Sequence, residues 1–339
     1  MSEKQVIIDQ IVQVFRDSHR ILFTAGANLD GDAFGSLLAL DEVARSLGKE
    51  TCILNDKSLD SYYSFIPDHT PIVPSIPDGF TPDLIVITDT GDLALLGRIY
   101  QEYRSIFESV VIVNIDHHST NTEFGTYNLI DLSVSSACEL TAEVIEAIIP
   151  ETQNACFSKT LSSYLMLGVF YDTNCFRNQN TNAKTFAFMS RLLACGACYF
   201  TFVKHLYKSR SIAEMRLYGH LLDHAIVYGD NGAVGCIIDQ VTLLKYGVGE
   251  DSLASVFNNE FLSTILCDFS FVVKESDDGR YKISLRTSKD GYDVSRLAQL
   301  LGGGGHVKAA GAITTKSLPE ILNVIETYYY TWQTEKNRI

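Results

Sequence analysis

Val110-Val111-Ile112-Val113-Asn114-Ile115-Asp116-His117-His118 is a short, mostly apolar run that stops abruptly at one acid and two imidazoles. A strand with one wet face alternates apolar and polar residues. This one does not, so it reads as a strand buried on both faces, as in a parallel sheet covered by helices. Residues 21–24, 51–54 and 84–88 have the same character. Between these runs the apolar spacing is helical, at residues 6–15, 37–47, 136–149 and 158–171, with Gly48 as a stop for the second. The alternation predicts an α/β fold built on a doubly wound parallel sheet. Five of the seven prolines, Pro67, Pro71, Pro74, Pro77 and Pro82, precede the third strand and predict an irregular connection there.

Open α/β sheets bind ligands at the carboxyl edge of their strands. Four acidic motifs fall at such ends. Asp30-Gly31-Asp32 follows the first strand and precedes a helix. Asp89 closes the strand at residues 84–88. Asp116-His117-His118 closes the opening run, and Asp172 ends an apolar helix. Any one of these acids reads equally as a helix cap or a turn residue. Together on one edge they would repel and desolvate one another without a cation. Oxygen donors mixed with imidazole suit Mn²⁺, Mg²⁺ or Zn²⁺.

The second half changes character. Residues 183–224 read as helical, and the domain connection falls within them. Residues 233–238, 269–274 and 281–286 read as strands, the last two joined by an Asp278-Gly279 hairpin turn. Ser317-Leu318-Pro319-Glu320 fits a capping box that opens a final helix with Ile321, Val324, Ile325, Tyr328 and Trp332 on one face. We expect a first domain over residues 1–190, a helical connection at 191–215, and a smaller α/β domain with a mixed sheet at 216–339. The active site is expected in the cleft between the domains.

The 339 residues carry 27 basic and 41 acidic side chains, a net charge of −14 with a pI near 5.0. That balance disfavours a coat for long nucleic acid or duplex DNA. No apolar run reaches the ~18–20 residues of a membrane span, and the N-terminus lacks the pattern of a secretory signal. The eight cysteines are scattered, and only Cys195 and Cys198 form a C-x-x-C, without the second pair a zinc site needs. They read as buried helix residues of a reduced, cytoplasmic protein. A P-loop is excluded because Gly26 and Gly31 are followed by Asp32-Ala33, not Lys-Ser or Lys-Thr. The G-x-G-x-x-G of a dinucleotide site is absent from the first turn.

The ordered motifs resemble those of the DHH-family phosphoesterases with a C-terminal DHH-associated domain. They are Asp30-Gly31-Asp32-Ala33-Phe34-Gly35-Ser36, Asp89-Thr90-Gly91-Asp92 with Arg98 downstream, Asp116-His117-His118, Asp172-Thr173-Asn174-Cys175-Phe176-Arg177, and Gly302-Gly303-Gly304-Gly305-His306 followed by Lys308-Ala309-Ala310-Gly311. Length and domain pair most resemble the stand-alone oligoribonuclease and pAp-phosphatase branch. The resemblance implies hydrolysis of short oligonucleotides (nanoRNA, pApA) or of 3′-phosphoadenosine 5′-phosphate. Two divalent cations, Mn²⁺ before Mg²⁺, are implied as cofactors. Asp30, Asp32, Asp89, His117 and Asp172 would hold them, with Asp89 bridging. Asp89, Asp116 and His118 are the implied catalytic residues, His118 beside the phosphate as donor or acid. Arg286, Ser288, Gly302, Gly303, Gly304, Gly305 and His306 are the implied substrate contacts, joined by Lys308 in a small basic pocket. A homodimer is compatible with the resemblance; a membrane partner is not.

Four alternatives stand beside this one. A cyclic di-AMP phosphodiesterase shares the motifs. Inorganic pyrophosphatases lack the GGGGH run, and RecJ-type exonucleases carry further domains. A catalytically weakened nucleotide-binding protein is suggested by one departure: the family's first motif begins with a metal-binding His where this chain has Gly26. Leu29 replaces a frequent Pro, and Asn28 is the polar neighbour that could stand in. His19 lies seven residues upstream, roughly 23 Å away if extended, too far to substitute. Asn174 stands where the family often has Gly, and Asn tolerates the positive φ such a position needs. His19, His69, His205, His220 and His224 match no motif and read as structural or exposed.

Overall fold

The computed structural model describes residues 2–27, 29–56, 66, 70–149, 157–208, 210–230, 232–249, 267–276, 278–305 and 307–336. Two compact units emerge, Met1–Lys208 and Ser209–Ile339.

The first unit runs α1 (Glu3–Asp17), β1 (Arg20–Ala25), α2 (Gly31–Ser46), β2 (Glu50–Leu54), β3 (Ile72–Val73) and β4 (Leu84–Thr88). It continues through a 3-10 turn (Leu93–Leu96), α3 (Arg98–Glu102), α4 (Arg104–Ser109), β5 (Val111–Asp116) and β6 (Tyr127–Ile130). It ends with α5 (Ala137–Ile148), α6 (Lys159–Asp172), α7 (Ala183–Ala194) and α8 (Tyr199–Tyr207). The strands form one parallel sheet in the order β3-β2-β1-β4-β5-β6. The order reverses between β1 and β4, which makes the carboxyl ends of those strands the place where a crevice opens.

The unbroken apolar runs are explained by burial on both faces. Ile21 and Phe23 of β1, with Leu84 and Val86 of β4, enter one core with α1, α2, α5 and α6. Leu22 of β1, with Ile85 and Ile87 of β4, enters a second core with Leu96, Ile99 and Phe107. Each side chain so buried contributes roughly 1.5–3 kcal/mol.

Several expectations are corrected. The second helix begins at Gly31, six residues before the apolar spacing starts, because Asp30 caps it by accepting from the backbone N–H of Asp32 and Ala33. Asp32 therefore lies in the first helical turn. The proline-rich connection contains β3, a two-residue strand that pairs Ile53 with Ile72. The connection expected at 191–215 does not stand apart. Leu192 and Phe202 are buried in the core of the first unit, while Leu217 and Leu221 belong to the second. Cys195 and Cys198 are half-buried at the turn between α7 and α8, capping one helix and opening the next.

The second unit contains α9 (Ile212–Asp223), β7 (Ile226–Tyr228), β8 (Ala233–Ile238), α10 (Gln240–Tyr246), β9 (Phe269–Glu275), β10 (Tyr281–Arg286), α11 (Val294–Leu300), β11 (Gly304–Gly305), β12 (Ala309–Thr314) and α12 (Leu318–Lys336). Its sheet is mixed, in the order β11-β12-β10-β9-β8-β7, with β8 and β9 parallel and the other pairs antiparallel. The β9–β10 hairpin turns at Asp278 and Gly279 as expected, with Gly279 at φ +75°. Ser317 opens α12, and Glu320 accepts from its backbone N–H at 2.8 Å. Ile321, Ile325 and Tyr329 of α12 are buried against the sheet. Among the described residues, no single helix is long and apolar enough to cross a membrane.

Candidate metal centre

The carboxyl edge of the first sheet gathers all seven expected residues of the first unit. Asp89 follows β4 in a left-handed conformation, φ +50°, and its N–H donates to Ile115 O at 2.9 Å. Asp tolerates that region better than most residues, though at a cost. The bend turns its carboxylate toward the ends of α2 and α6. Asp116 ends β5 and is fully buried. Asp172 is the last residue of α6.

His117 is the hub. Its Nε2 lies 2.9 Å from Asp172 Oδ2, 3.4 Å from Asp89 Oδ1 and 3.7 Å from Asp32 Oδ2. These are ion-pair contacts, and neither His117 Nε2 nor Asp89 Oδ1, both buried, has a well-aligned hydrogen bond. Unpaired buried polar atoms are costly. Burial pushes the Asp32 carboxyl up to about 7, with Asp172 adding to it. Burial also raises Asp30, Asp89 and Asp172. Burial alone would lower the His117 imidazole, but the carboxylates of Asp172, Asp89 and Asp32 push it up to about 12. A cluster of buried acids around one imidazole, with two orphaned ligand atoms at its centre, fits a divalent cation. Two groups of donors lie close enough to share an ion: Asp32, His117 and Asp172, and Asp89, His117 and His118.

Asp32 has a second partner set that residue spacing does not reveal. Its carboxylate accepts from the backbone N–H of Ala137 at 2.5 Å and of Cys138 at 2.9 Å. These are the first amides of α5, whose own Ser136 makes no capping bond. Gly168 of α6 makes room for this arrangement, because a Cβ there would lie 2.2 Å from Asp32 Oδ1.

Asp116 holds His118 instead of facing the cluster. Its Oδ1 lies 2.7 Å from His118 Nδ1, and its Oδ2 accepts from Asn121 Nδ2 at 2.6 Å. Burial works against its ionisation, but the His118 and Asn121 hydrogen bonds outweigh that and lower its pKa. An ionised Asp116 can only accept, so the proton sits on His118 Nδ1 and Nε2 is left for another group. His118 keeps 41 % of its side chain exposed.

At the Gly26 departure, the backbone N–H donates to Thr90 Oγ1 at 2.9 Å. Asn28 lies outside the described residues. Among the described residues, Asp30 joins neither donor group. His19 is exposed beside Asp83, at the opposite end of β1. Arg98 is engaged by Asp56, Glu102 and Pro74 O. Asn174 does adopt positive φ, +46°, and the left-handed turn extends through Cys175 and Phe176.

In the second unit, Arg286 ends β10 opposite Ala309, and Gly305 pairs with Ala310 on the next strand. The arginine and the glycine run therefore meet at one end of the sheet, where Ser288 is exposed. Packing accounts for much of the run. A Cβ at Gly303 would lie 2.1 Å from Gly311 O, and Gly305 has φ +140°. Gly304 alone of the four has open space around it without a positive φ. Lys308 Nζ is bonded to Lys289 O and Asp290. His306 lies outside the described residues.

Comparisons with known proteins match both parts of the chain. Residues 20–169 match the DHH family N-terminal domain, and residues 235–331 match the DHHA1 domain. The chain belongs to the DHH family, a class of phosphoester hydrolases. A Thermus thermophilus relative named bifunctional oligoribonuclease and PAP phosphatase NrnA is 28 % identical over 303 residues, covering 85 % of this chain and 82 % of that protein. A solved exopolyphosphatase-related protein from Bacteroides fragilis matches with a TM-score of 0.86 at 23 % identity, covering 97 % of each chain. Exonuclease RecJ bound to manganese matches with a TM-score of 0.58 at 13 % identity, covering 97 % of this chain and 95 % of that one.

Proposed function

We propose that this chain is a metal-dependent hydrolase of very short oligonucleotides, such as pApA, and of 3′-phosphoadenosine 5′-phosphate, acting in the cytoplasm. The observation that carries the reading is the buried pair of unpartnered ligand atoms, Asp89 Oδ1 and His117 Nε2, set among Asp32 and Asp172. The name of the Thermus relative supports the substrate class.

Asp32, Asp89, His117 and Asp172 would hold one divalent cation, Mn²⁺ or Mg²⁺, and Asp30 with Asp89 a second, weaker one. Cations bound there supply a Lewis acid for the phosphoryl oxygens and lower the pKa of water. The protein's own part is positional. The amides of Ala137 and Cys138 fix the Asp32 carboxylate. Asp116 fixes the His118 ring through Nδ1–H and raises its pKa, which favours the doubly protonated imidazolium whose Nε2–H can donate to a phosphate or leaving oxygen. In the second unit, Arg286, Ser288 and the backbone at Gly304 would anchor a terminal phosphate, the arginine through its planar fork.

The test is turnover of pApA, 3′-phosphoadenosine 5′-phosphate, short RNA and cyclic di-AMP in Mn²⁺, with Asp89→Ala as control. Hydrolysis of the first two that Asp89→Ala abolishes supports the reading. Preference for cyclic di-AMP would replace the substrate. Nucleotide binding without turnover would make the chain a regulator.

A further inference from the structure

Helix α6 is buried from Tyr164 through Phe170, and exposure opens at Tyr171, the residue immediately before Asp172. Tyr171 is 43 % exposed. Its ring lies against the first turn of α2. A Cβ on Gly31 would meet Tyr171 Cβ, Cγ and Cδ2 at 2.8 to 3.0 Å. Gly31 stands between Asp30 and Asp32, the cap and the first-turn acid of that helix. The reason for glycine at 31 is therefore the aromatic ring packed across it. A partly exposed ring thus packs on the turn of α2 that carries Asp30 and Asp32, and it belongs to the residue immediately before Asp172.

We infer that Tyr171 is a base-stacking residue, which places a nucleobase of the substrate beside the phosphate that reacts. This rests on the proposed function and deepens it by naming what reads the nucleoside. Every nucleobase has a π-face, so stacking on tyrosine holds the substrate without demanding one base. A ring also suits a site where the carboxylates already engage cations, because it adds affinity without adding charge. The hydroxyl is not needed for this role, and the ring is.

The experiment compares adenylyl-adenosine 5′-phosphate with an analogue carrying tetrahydrofuran in place of both bases. Wild type, Tyr171→Phe and Tyr171→Ala are assayed on each in Mn²⁺. The expected result is a KM for the natural dinucleotide that rises at least about tenfold in Tyr171→Ala, with kcat within a few-fold. The KM for the base-free analogue should stay unchanged, and Tyr171→Phe should behave as wild type on both. Equal KM changes on both substrates, or none on either, would overturn the stacking role while leaving the hydrolase reading intact. If wild type cleaves neither substrate nor 3′-phosphoadenosine 5′-phosphate, the function falls, and this inference with it.

Discussion

Asp32 Oδ2 lies 2.5 Å from the backbone nitrogen of Ala137, so one carboxylate of the candidate metal centre is also the N-terminal cap of α5. Asp89, in the same cluster, has an oxygen with no hydrogen-bond partner. The two acids should therefore respond oppositely to removal in metal-free protein. Loss of a helix cap costs about 0.5–2 kcal/mol. For a unit of this size each kcal/mol corresponds to roughly 2–4 °C in Tm. Asp32→Ala is expected to lower the Tm in EDTA by a few degrees. Asp89→Asn is expected to raise it, because an acid whose ionisation is opposed by burial and by Asp30 and Asp32 is replaced by a group that never ionises. Both should abolish turnover. Melting curves check this, and equal losses for the two variants would show that Asp32 does no capping.

Stability without metal should fall as pH rises. Asp32 has an ordinary pKa of 3.8 that is raised to about 7 in the folded protein. Its contribution is full below about 3.8 and is lost as pH climbs through about 7. His117 rises from 6.5 to about 12, so its contribution is full below about 6.5 and fades above it. Both slopes have the same sign between pH 5 and 9. Divalent cations compete with those protons, so stabilisation by Mn²⁺ should grow over the same range. Thermal melts in EDTA and in Mn²⁺ across that interval test the pair of trends. A Tm in EDTA that climbs with pH would contradict the proton-loaded cluster.

His117 and His118 both approach Asp89 Oδ1, at 3.4 and 3.5 Å, but their nearest partners differ. His117 points its Nε2 at three carboxylates, while His118 gives its Nδ1 to Asp116. His117→Ala is expected to remove most Mn²⁺ affinity. His118→Ala should leave Mn²⁺ affinity within about threefold and lower kcat by roughly 10²–10⁴, the usual worth of a positioned acid. Metal titration beside steady-state kinetics separates the two. Equal loss of Mn²⁺ affinity in both variants would instead make His118 a ligand.

The sheet was legible because β1, β2, β4 and β5 are each buried on both faces, which leaves an unbroken apolar signature. The two residues of β3 leave none, and its pairing is set by the neighbouring strand. The start of α2 was hidden because Asp30-Gly31-Asp32 has no apolar period; a cap and a tertiary bond place it. The ligand acids could be named from strand ends alone. Their supports could not: Asp32 and Ala137 are 105 positions apart, and nothing in local spacing joins them. Gly168 and Tyr171 were likewise silent, since their reasons lie on α2, a different helix.

Gly26 offers the most direct control over the weaker metal position, at Asp30 and Asp89. Its backbone is not in the left-handed region, and a Cβ there would meet only Leu95 O and Thr90 Oγ1, both at 3.8 Å. Those are ordinary contacts, so a side chain can be added without forcing the loop apart. The Gly26 N–H bond to Thr90 uses the backbone alone and survives substitution. Gly26→His would bring an imidazole just past the end of β1, four positions before Asp30, which among the described residues joins neither donor group. Imidazole is a good ligand for first-row divalent metals, and changes around a metal centre commonly shift affinity 10–100-fold. The Mn²⁺ concentration for half-maximal activity should fall at least about tenfold in Gly26→His. Gly26→Ala, which adds the Cβ without the ring, should match wild type. If Gly26→His matches it too, the position at Asp30 and Asp89 is already fully ligated without an imidazole, and its cation binds no more weakly than the one at His117.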